Sequence, residues 1–323
     1  MSFAYVNHPE YHAKNEELKS IYNKWRQRQF GKRIPVHVFG SGSEGNSVYL
    51  KPYRTLIDLG LTYKVYQEYD PHFFLDVDYI VLTHHHGDHL NPSTLNRVIN
   101  NYPHIRILIS QFMWDMITSD DFKAEFEKRK KGEAVPFGHD PVYQTDDSGR
   151  RIKKPGKWAS EFLKHQSKFR IAEPETLTTH DGKSFLFEPL TVKHGDIVNI
   201  AVQISDPELE FEFLYASDLD NLDGERAFMD CHGNQQHVTG LDQHRRYTCM
   251  FLEANYDETI LQNWYENLSE DDPDYRGKKA RADGNLRHIS EQEAGVYIEQ
   301  HLEENGLFVP LHASKTFGTL HQS

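Results

Sequence analysis

The stretch Tyr79 to Leu90, YIVLTHHHGDHL, concentrates the side chains that bind metal. After Thr83 come His84, His85, His86, Asp88 and His89. Imidazole nitrogen and carboxylate oxygen are the usual donors to zinc and neighbouring divalent metals. The alternate pair His84 and His86 can reach one ion, and Asp88 with His89 can reach a second. Gly87 permits the tight turn that brings such side chains onto one centre. The bland alternative is a surface histidine cluster or a histidine-rich helix cap. The agreement of spacing, preceding strand and following helix outweighs it.

These donors need a rigid mount, and the flanking sequence supplies one. Tyr79-Ile80-Val81-Leu82 has the length and β-branched content of a buried strand. Asn91 is placed to cap a helix that starts at Pro92 and sets Leu95, Val98 and Ile99 on one face. Further strands are expected over Ile34–Gly40, Ser47–Leu50, Thr55–Asp58, Ile105–Ile109, Ser184–Val192, Ile197–Ile204, Phe211–Ala216, Thr248–Ala254 and Leu307–Leu311. Several run directly into chemistry-bearing residues: Asp58, His194, Asp218 with Asp220, and His312. Ser290 and Glu293 form a capping-box signal for a helix with Ala294, Ile298 and Leu302 on its apolar face and Gly306 as its stop. An amphipathic helix over 9–30, carrying Leu18, Ile21, Tyr22 and Trp25 and closed by Gly31, precedes all of this. Its simplest role is packing on the outside of the core. The Gly/Ser-rich loop from Gly40 to Ser47 could cradle phosphate, which alone is weak evidence. Residues 221–247 contain Cys231, His232, His237 and His244 without paired C-x-x-C spacing, and read as a solvated loop.

The H-x-H-x-D-H pattern of His84, His86, Asp88 and His89 resembles the metallo-β-lactamase-fold superfamily of metal-dependent hydrolases. Ser43-Glu44-Gly45-Asn46-Ser47 resembles the S-x-GNS opening of its YycJ/WalJ-type exonuclease branch, and Glu253-Ala254-Asn255-Tyr256-Asp257 resembles an E-x-N-x-D of the same branch. The resemblance spans most of residues 34–312 through five separated motifs. It implies an α/β (α+β) fold, the αββα sandwich, within a domain over 34–323 that follows a helical extension over 1–33. An inserted basic segment falls at about 111–180.

By the same resemblance His84, His86 and His194 hold one metal ion, and Asp88, His89 and His312 a second. Asp218 bridges them, with Asp220 as the alternative, and Asp58 supports the ligand loop from behind. The implied cofactors are two divalent ions, zinc or else manganese. Asp88 and His288 are the implied catalytic groups, the first orienting or deprotonating the attacking water and the second protonating the departing oxygen. The implied reaction is phosphodiester hydrolysis by a metal-activated water.

Composition bounds the substrate. The 323 residues carry 36 Lys plus Arg against 49 Asp plus Glu, a net −13, which is a poor overall footprint for nonspecific nucleic-acid binding. Residues 121–170 hold 13 basic against 8 acidic side chains, a surplus of +5, so the remainder carries −18. A basic segment of that kind could guide a polynucleotide, which favours a nuclease. A small phosphodiester such as a cyclic nucleotide is the competing substrate, and a non-catalytic protein keeping its metal for stability is the reading from another class. A thioester or lactam hydrolase has no sequence support. No apolar run reaches 18 residues, the start of the chain has no apolar signal region, and two cysteines make no disulfide framework. The expectation is a cytoplasmic protein without a membrane partner.

Overall fold

The computed structural model describes residues 36–118, 142–145, 151–154, 165–224, 227–230 and 233–320. The helix expected over 9–30, the charged segment from Asp120 to Lys131, and Cys231 and His232 lie outside them. The chain forms two compact units, one of Pro35–Glu173 with Thr178–Ser184, the other containing Pro174–Leu177 and Phe185–Ser323.

The first unit is built on a six-stranded sheet. Its strands are β1 (Val36–Gly40), β2 (Ser47–Leu50), β3 (Thr55–Ile57), β4 (Tyr79–Leu82), β5 (Arg106–Ile109) and β8 (Phe169–Ile171), in the order β1-β2-β3-β4-β5-β8. The β1–β2–β3 meander is antiparallel, and β3, β4, β5 and β8 run parallel. A separate antiparallel hairpin joins β6 (Val142–Thr145) to β7 (Arg151–Lys154). Helices α1 (Tyr63–Tyr69), α2 (Pro92–Asn101) and α3 (Gln111–Thr118) complete the unit.

Alternate positions Ile80 and Leu82 of β4, with Ile107 and Ile109 of β5, share one core with Leu95, Val98 and Ile99 of α2 and Tyr66 of α1. Burial of each such aliphatic side chain contributes about 1.5–3 kcal/mol. Val81 and Leu108, at the intervening positions, are buried too, so these parallel strands read as continuous apolar runs. The start of α2 follows from Asn91, whose side chain accepts hydrogen bonds from the amides of Ser93 (3.1 Å) and Thr94 (3.0 Å).

The second unit has its own six-stranded sheet. Its strands are β9 (Glu175–Thr178), β10 (Ser184–His194), β11 (Ile197–Asp206), β12 (Phe211–Ala216), β15 (Tyr247–Glu253) and β16 (Leu302–Leu311), in the order β16-β15-β12-β11-β10-β9. A two-residue hairpin, β13 (Phe228–Met229) and β14 (Gln235–Gln236), stands apart. β10, β11 and β12 are antiparallel neighbours, whereas β12, β15 and β16 are parallel. Helices α4 (Glu258–Glu266), α5 (Tyr275–Asn285) and α6 (Glu291–His301) follow β15. α6 packs Ala294, Tyr297 and Ile298 against Met250 and Leu252 of β15 and Phe308 of β16. The expected mixed α/β class is therefore present, with a sheet and covering helices in each unit.

Two boundaries differ from the sequence reading. Helix α6 ends at His301, because Leu302 turns extended and pairs beside Tyr247 of β15. Gly306 therefore lies inside a ten-residue strand and stops no helix. The stretch 111–180 contains α3, the short strand β8 at the edge of the first sheet and β9 at the edge of the second. Its last residues thus belong to the two sheets. Among the described residues no helix is long and apolar enough to cross a membrane.

Replacing Asn91 with Ala should lower stability by about 1 kcal/mol, through loss of the cap on α2. Urea unfolding measures this as a shift in midpoint with an unchanged slope.

Candidate metal-binding residues

In the first unit the donors sit where β4 ends. Asp58, just beyond β3, is fully buried and adopts a left-handed backbone (φ 62°). Its Oδ1 accepts from the amide (2.9 Å) and the hydroxyl (2.9 Å) of Thr83, and His89 Nδ1 donates to its Oδ2 (2.7 Å). This puts the His89 ring proton on Nδ1 and leaves the lone pair on Nε2. The rings of His84 and His86 stand 4.6 Å apart between centroids, and those of His84 and His89 4.2 Å. Asp88 Oδ2 lies 3.8 Å from His89 Nε2. His85, the histidine that the alternate spacing leaves out, is buried, while its neighbour His86 is half-exposed.

The Gly/Ser loop serves this site in an unanticipated way. Asn46 donates its backbone N–H to Asp88 O (2.6 Å), and its side-chain nitrogen lies 2.9 Å from His89 Nε2 and 3.4 Å from Asp88 Oδ2. Gly60 lets the two backbones approach so closely, since a Cβ there would stand 1.8 Å from Asp88 O. The loop holds the ligand turn by its main chain.

In the second unit the donors stand at or just past strand ends. His194 closes β10, Asp218 follows β12, Glu253 closes β15 and His312 follows β16. Asp218 (φ 56°) and His312 (φ 52°) are left-handed. The Asp218 carboxylate stands between two imidazoles, 3.6 Å from His194 Nε2 and 3.8 Å from His312 Nε2. Asp218, Glu253, His288 and His312 each present a donor atom, all within 4.8 Å of one another. Buried carboxylates and partly buried imidazoles so clustered fit a divalent metal. The carboxylate of Asp220 is engaged differently. It pairs with Lys193 and accepts from the amide of Gly195 (2.7 Å), bracing the turn after His194, while its Oδ1 also lies 3.8 Å from His194 Nδ1.

Sequence reading gave Glu253 no role, yet it organises this half. It is fully buried, accepts from His288 Nδ1 (2.6 Å) and from the Leu219 amide (2.9 Å), and its Oε1 lies 3.4 Å from His312 Nδ1. Burial raises the Glu253 pKa and lowers that of His288. Their mutual attraction, with the His312 bond to Glu253 and the Asp218 charge beside His288, outweighs burial and leaves the carboxyl below and the imidazole above its ordinary value. His194 moves the other way, lowered by burial against the pull of Asp218. The sequence signal for Glu253 was its place at the end of the apolar run Cys249-Met250-Phe251-Leu252. A carboxylate there ends inside the protein and must be paired. His237 and His244 of the long polar loop are exposed, as expected of solvated side chains.

No protein-family model matches the chain, and no curated protein matches it. Among solved structures it is similar to the short form of human tRNase Z, at 13% identity over 87% of this chain and 92% of that one, with a TM-score of 0.46. It is also similar to YhfI from Bacillus subtilis, described as a metallo-β-lactamase-fold protein, at 15% identity over 88% and 87% of the two chains, with a TM-score of 0.43. A third likeness is to a diphosphatase of the PhnP family, at 12% identity over 89% of each chain and a TM-score of 0.40. None of these likenesses assigns an activity to the chain.

Replacing Asp58 with Ala strips the acceptor from three buried donors, Thr83 N, Thr83 Oγ1 and His89 Nδ1. The expected cost is about 3–5 kcal/mol, as for breaking a buried pair by removing one partner. Chemical unfolding of the metal-free protein reads this without reference to activity, and a loss below ~1 kcal/mol would remove Asp58 from its anchoring role.

Proposed function

We propose that the chain is a dinuclear metal-dependent phosphodiesterase, acting as a nuclease of the exonuclease type and similar in its motifs to the YycJ/WalJ branch. In this reading His84, His86 and His194 would hold one ion, Asp88, His89 and His312 the other, and Asp218 would be shared between them. The observation that carries it is the pairing of a metal-type donor set with a buried acid–base pair. Asp218 stands between His194 and His312, and Glu253 holds His288 by Nδ1 at 2.6 Å. When bound, zinc or manganese ions supply Lewis acidity toward a phosphoryl oxygen and acidify water at the site. The chain's own residues do the rest. Asp88 orients the attacking water and takes its proton. His288, kept protonated by Glu253, gives a proton from Nε2 to the departing oxygen.

The surplus of basic residues over 121–170 supports a polynucleotide substrate, and Arg151, Lys153 and Lys154 of that surplus fall on β7. The net charge of −13 favours the second reading, a small diester such as a cyclic nucleotide. A reducing, cytoplasmic setting belongs to the same proposal, supported by a sequence with two cysteines and no disulfide framework, Cys249 being a buried free thiol.

The test is turnover on end-labelled DNA and RNA beside bis-p-nitrophenyl phosphate and cyclic nucleotides, with Zn²⁺ or Mn²⁺ added. Stepwise loss of nucleotides from a polynucleotide end is the expected result, and activity confined to small diesters would transfer the protein to the second reading. His86→Ala and Asp218→Ala should each abolish hydrolysis while circular dichroism reports an intact fold. Wild-type turnover in both would overturn the site. Charge reversal at Arg150, Arg151, Lys153 and Lys154 should weaken polynucleotide turnover and spare the small diester.

A further inference from the structure

The segment after His312 has no part in the site as described, yet it is tied down by an acid that a surface tail would not need. Glu291 opens α6 and is almost fully buried. Its Oε1 accepts from the amides of Thr319 (2.5 Å) and Leu320 (3.1 Å), and its Oε2 from the Thr319 hydroxyl (2.5 Å). Its own amide donates to Tyr256 O (2.8 Å), within the turn that follows β15. Glu291 therefore grips the 254–257 turn by its main chain and residues 319–320 by its side chain.

The segment so held docks on that same turn. Ser314 N donates to Asn255 O (2.7 Å), and Asp257 N donates to Phe317 O (2.7 Å). Phe317 is fully buried edge-on to Trp264, with ring centroids 5.1 Å apart. Gly318 admits the approach, since a Cβ there would stand 2.8 Å from both Asn255 O and Ser314 O. Asn255 in turn donates from Nδ2 to His312 O (2.7 Å), and the same nitrogen lies 2.9 Å from His312 Nδ1. His312 is a non-glycine residue at φ 52°, a conformation that persists only where the surroundings over-determine it.

We propose that Glu291 is a positioning residue for His312: its carboxylate straps residues 314–320 onto the Asn255 turn, and that turn holds the His312 backbone and ring in place for metal. The proposal rests on His312 being a ligand, as in the function proposed above. A buried carboxylate satisfied by donors from one short segment ties that segment to the site at a fixed distance. A surface cap would leave the segment free to fray and His312 free to relax out of the left-handed region.

The test compares full-length wild type with Glu291→Ala, Glu291→Gln and Thr319→Val. Zinc stoichiometry and affinity are read by chelator competition, and amide hydrogen exchange is followed at Ser314 and Asp257. Glu291→Ala should bind one of two zinc ions at least about tenfold more weakly, the scale for removing an outer partner of a metal ligand, and should expose both amides to exchange. Glu291→Gln should recover most of the affinity, because its side-chain oxygen still accepts from Thr319 N and Leu320 N. Thr319→Val keeps those two bonds and loses one, so it should give a smaller loss of affinity and serves if Glu291→Ala fails to fold. Unchanged zinc affinity with unchanged exchange in Glu291→Ala, or in Thr319→Val should it stand in, overturns the positioning role. Wild-type protein that takes up no zinc overturns the dinuclear reading instead, and the exchange data then still decide whether the strap exists.

Discussion

A carboxylate sealed from water must be answered by donors, and in each unit that requirement sets a histidine. Asp58 and Glu253 are both fully buried, and each lies at or just past the end of a strand. Asp58 is met by His89 Nδ1 at 2.7 Å, and Glu253 by His288 Nδ1 at 2.6 Å. In both pairs the acid engages Nδ1 and so fixes which ring nitrogen points away from it. The cost of burying each charge is offset only in one ring orientation, so the ring is fixed before any ligand arrives. The remaining donors are arranged around these two anchors.

The strand ends make the anchors possible. A strand delivers its last residue to a defined point, but its pleat sends successive side chains to opposite faces. A left-handed residue just past the strand breaks that alternation and re-aims the side chain. Asp58, Asp218 and His312 all take this course, with φ of 62°, 56° and 52°. Such backbone costs of order 1–3 kcal/mol at each position, and it is tolerated where hydrogen bonds on both sides fix it. The Thr83 contacts of Asp58 and the Asn255 contacts of His312 do so.

The parts legible in the sequence are those specified locally. Strand β4, the ligand turn and the Asn91 cap follow one another within a few residues, and each carries its own signal. The capping box of Ser290 and Glu293 is present for the same reason. What the sequence hid is what depends on distant chain. Glu253 meets His288 across 35 positions and Asn46 meets His89 across 43, and neither pairing leaves a periodicity to read. Gly306 looked like a helix stop because glycine usually is one. The neighbouring strand β15 decided otherwise by pairing with Leu302. Strand β8 has three residues on a sheet edge, too few to announce themselves beside the charged sequence before them.

The seam at Gly60 has a consequence beyond shape. Leu59 N donates to His89 O (2.8 Å), Asn91 N to Leu59 O (2.8 Å), Gly60 N to Asn46 O (3.1 Å) and Asn46 N to Asp88 O (2.6 Å). The ligand turn is thus stitched along its main chain to two other stretches, and it has little room to swell or contract. Coordination sites choose among ions by donor number, spacing and compliance. In the metal site proposed above, a turn this stiff would have little room to stretch to a larger ion or tighten onto a smaller one, and ionic radius would be the quantity it discriminates.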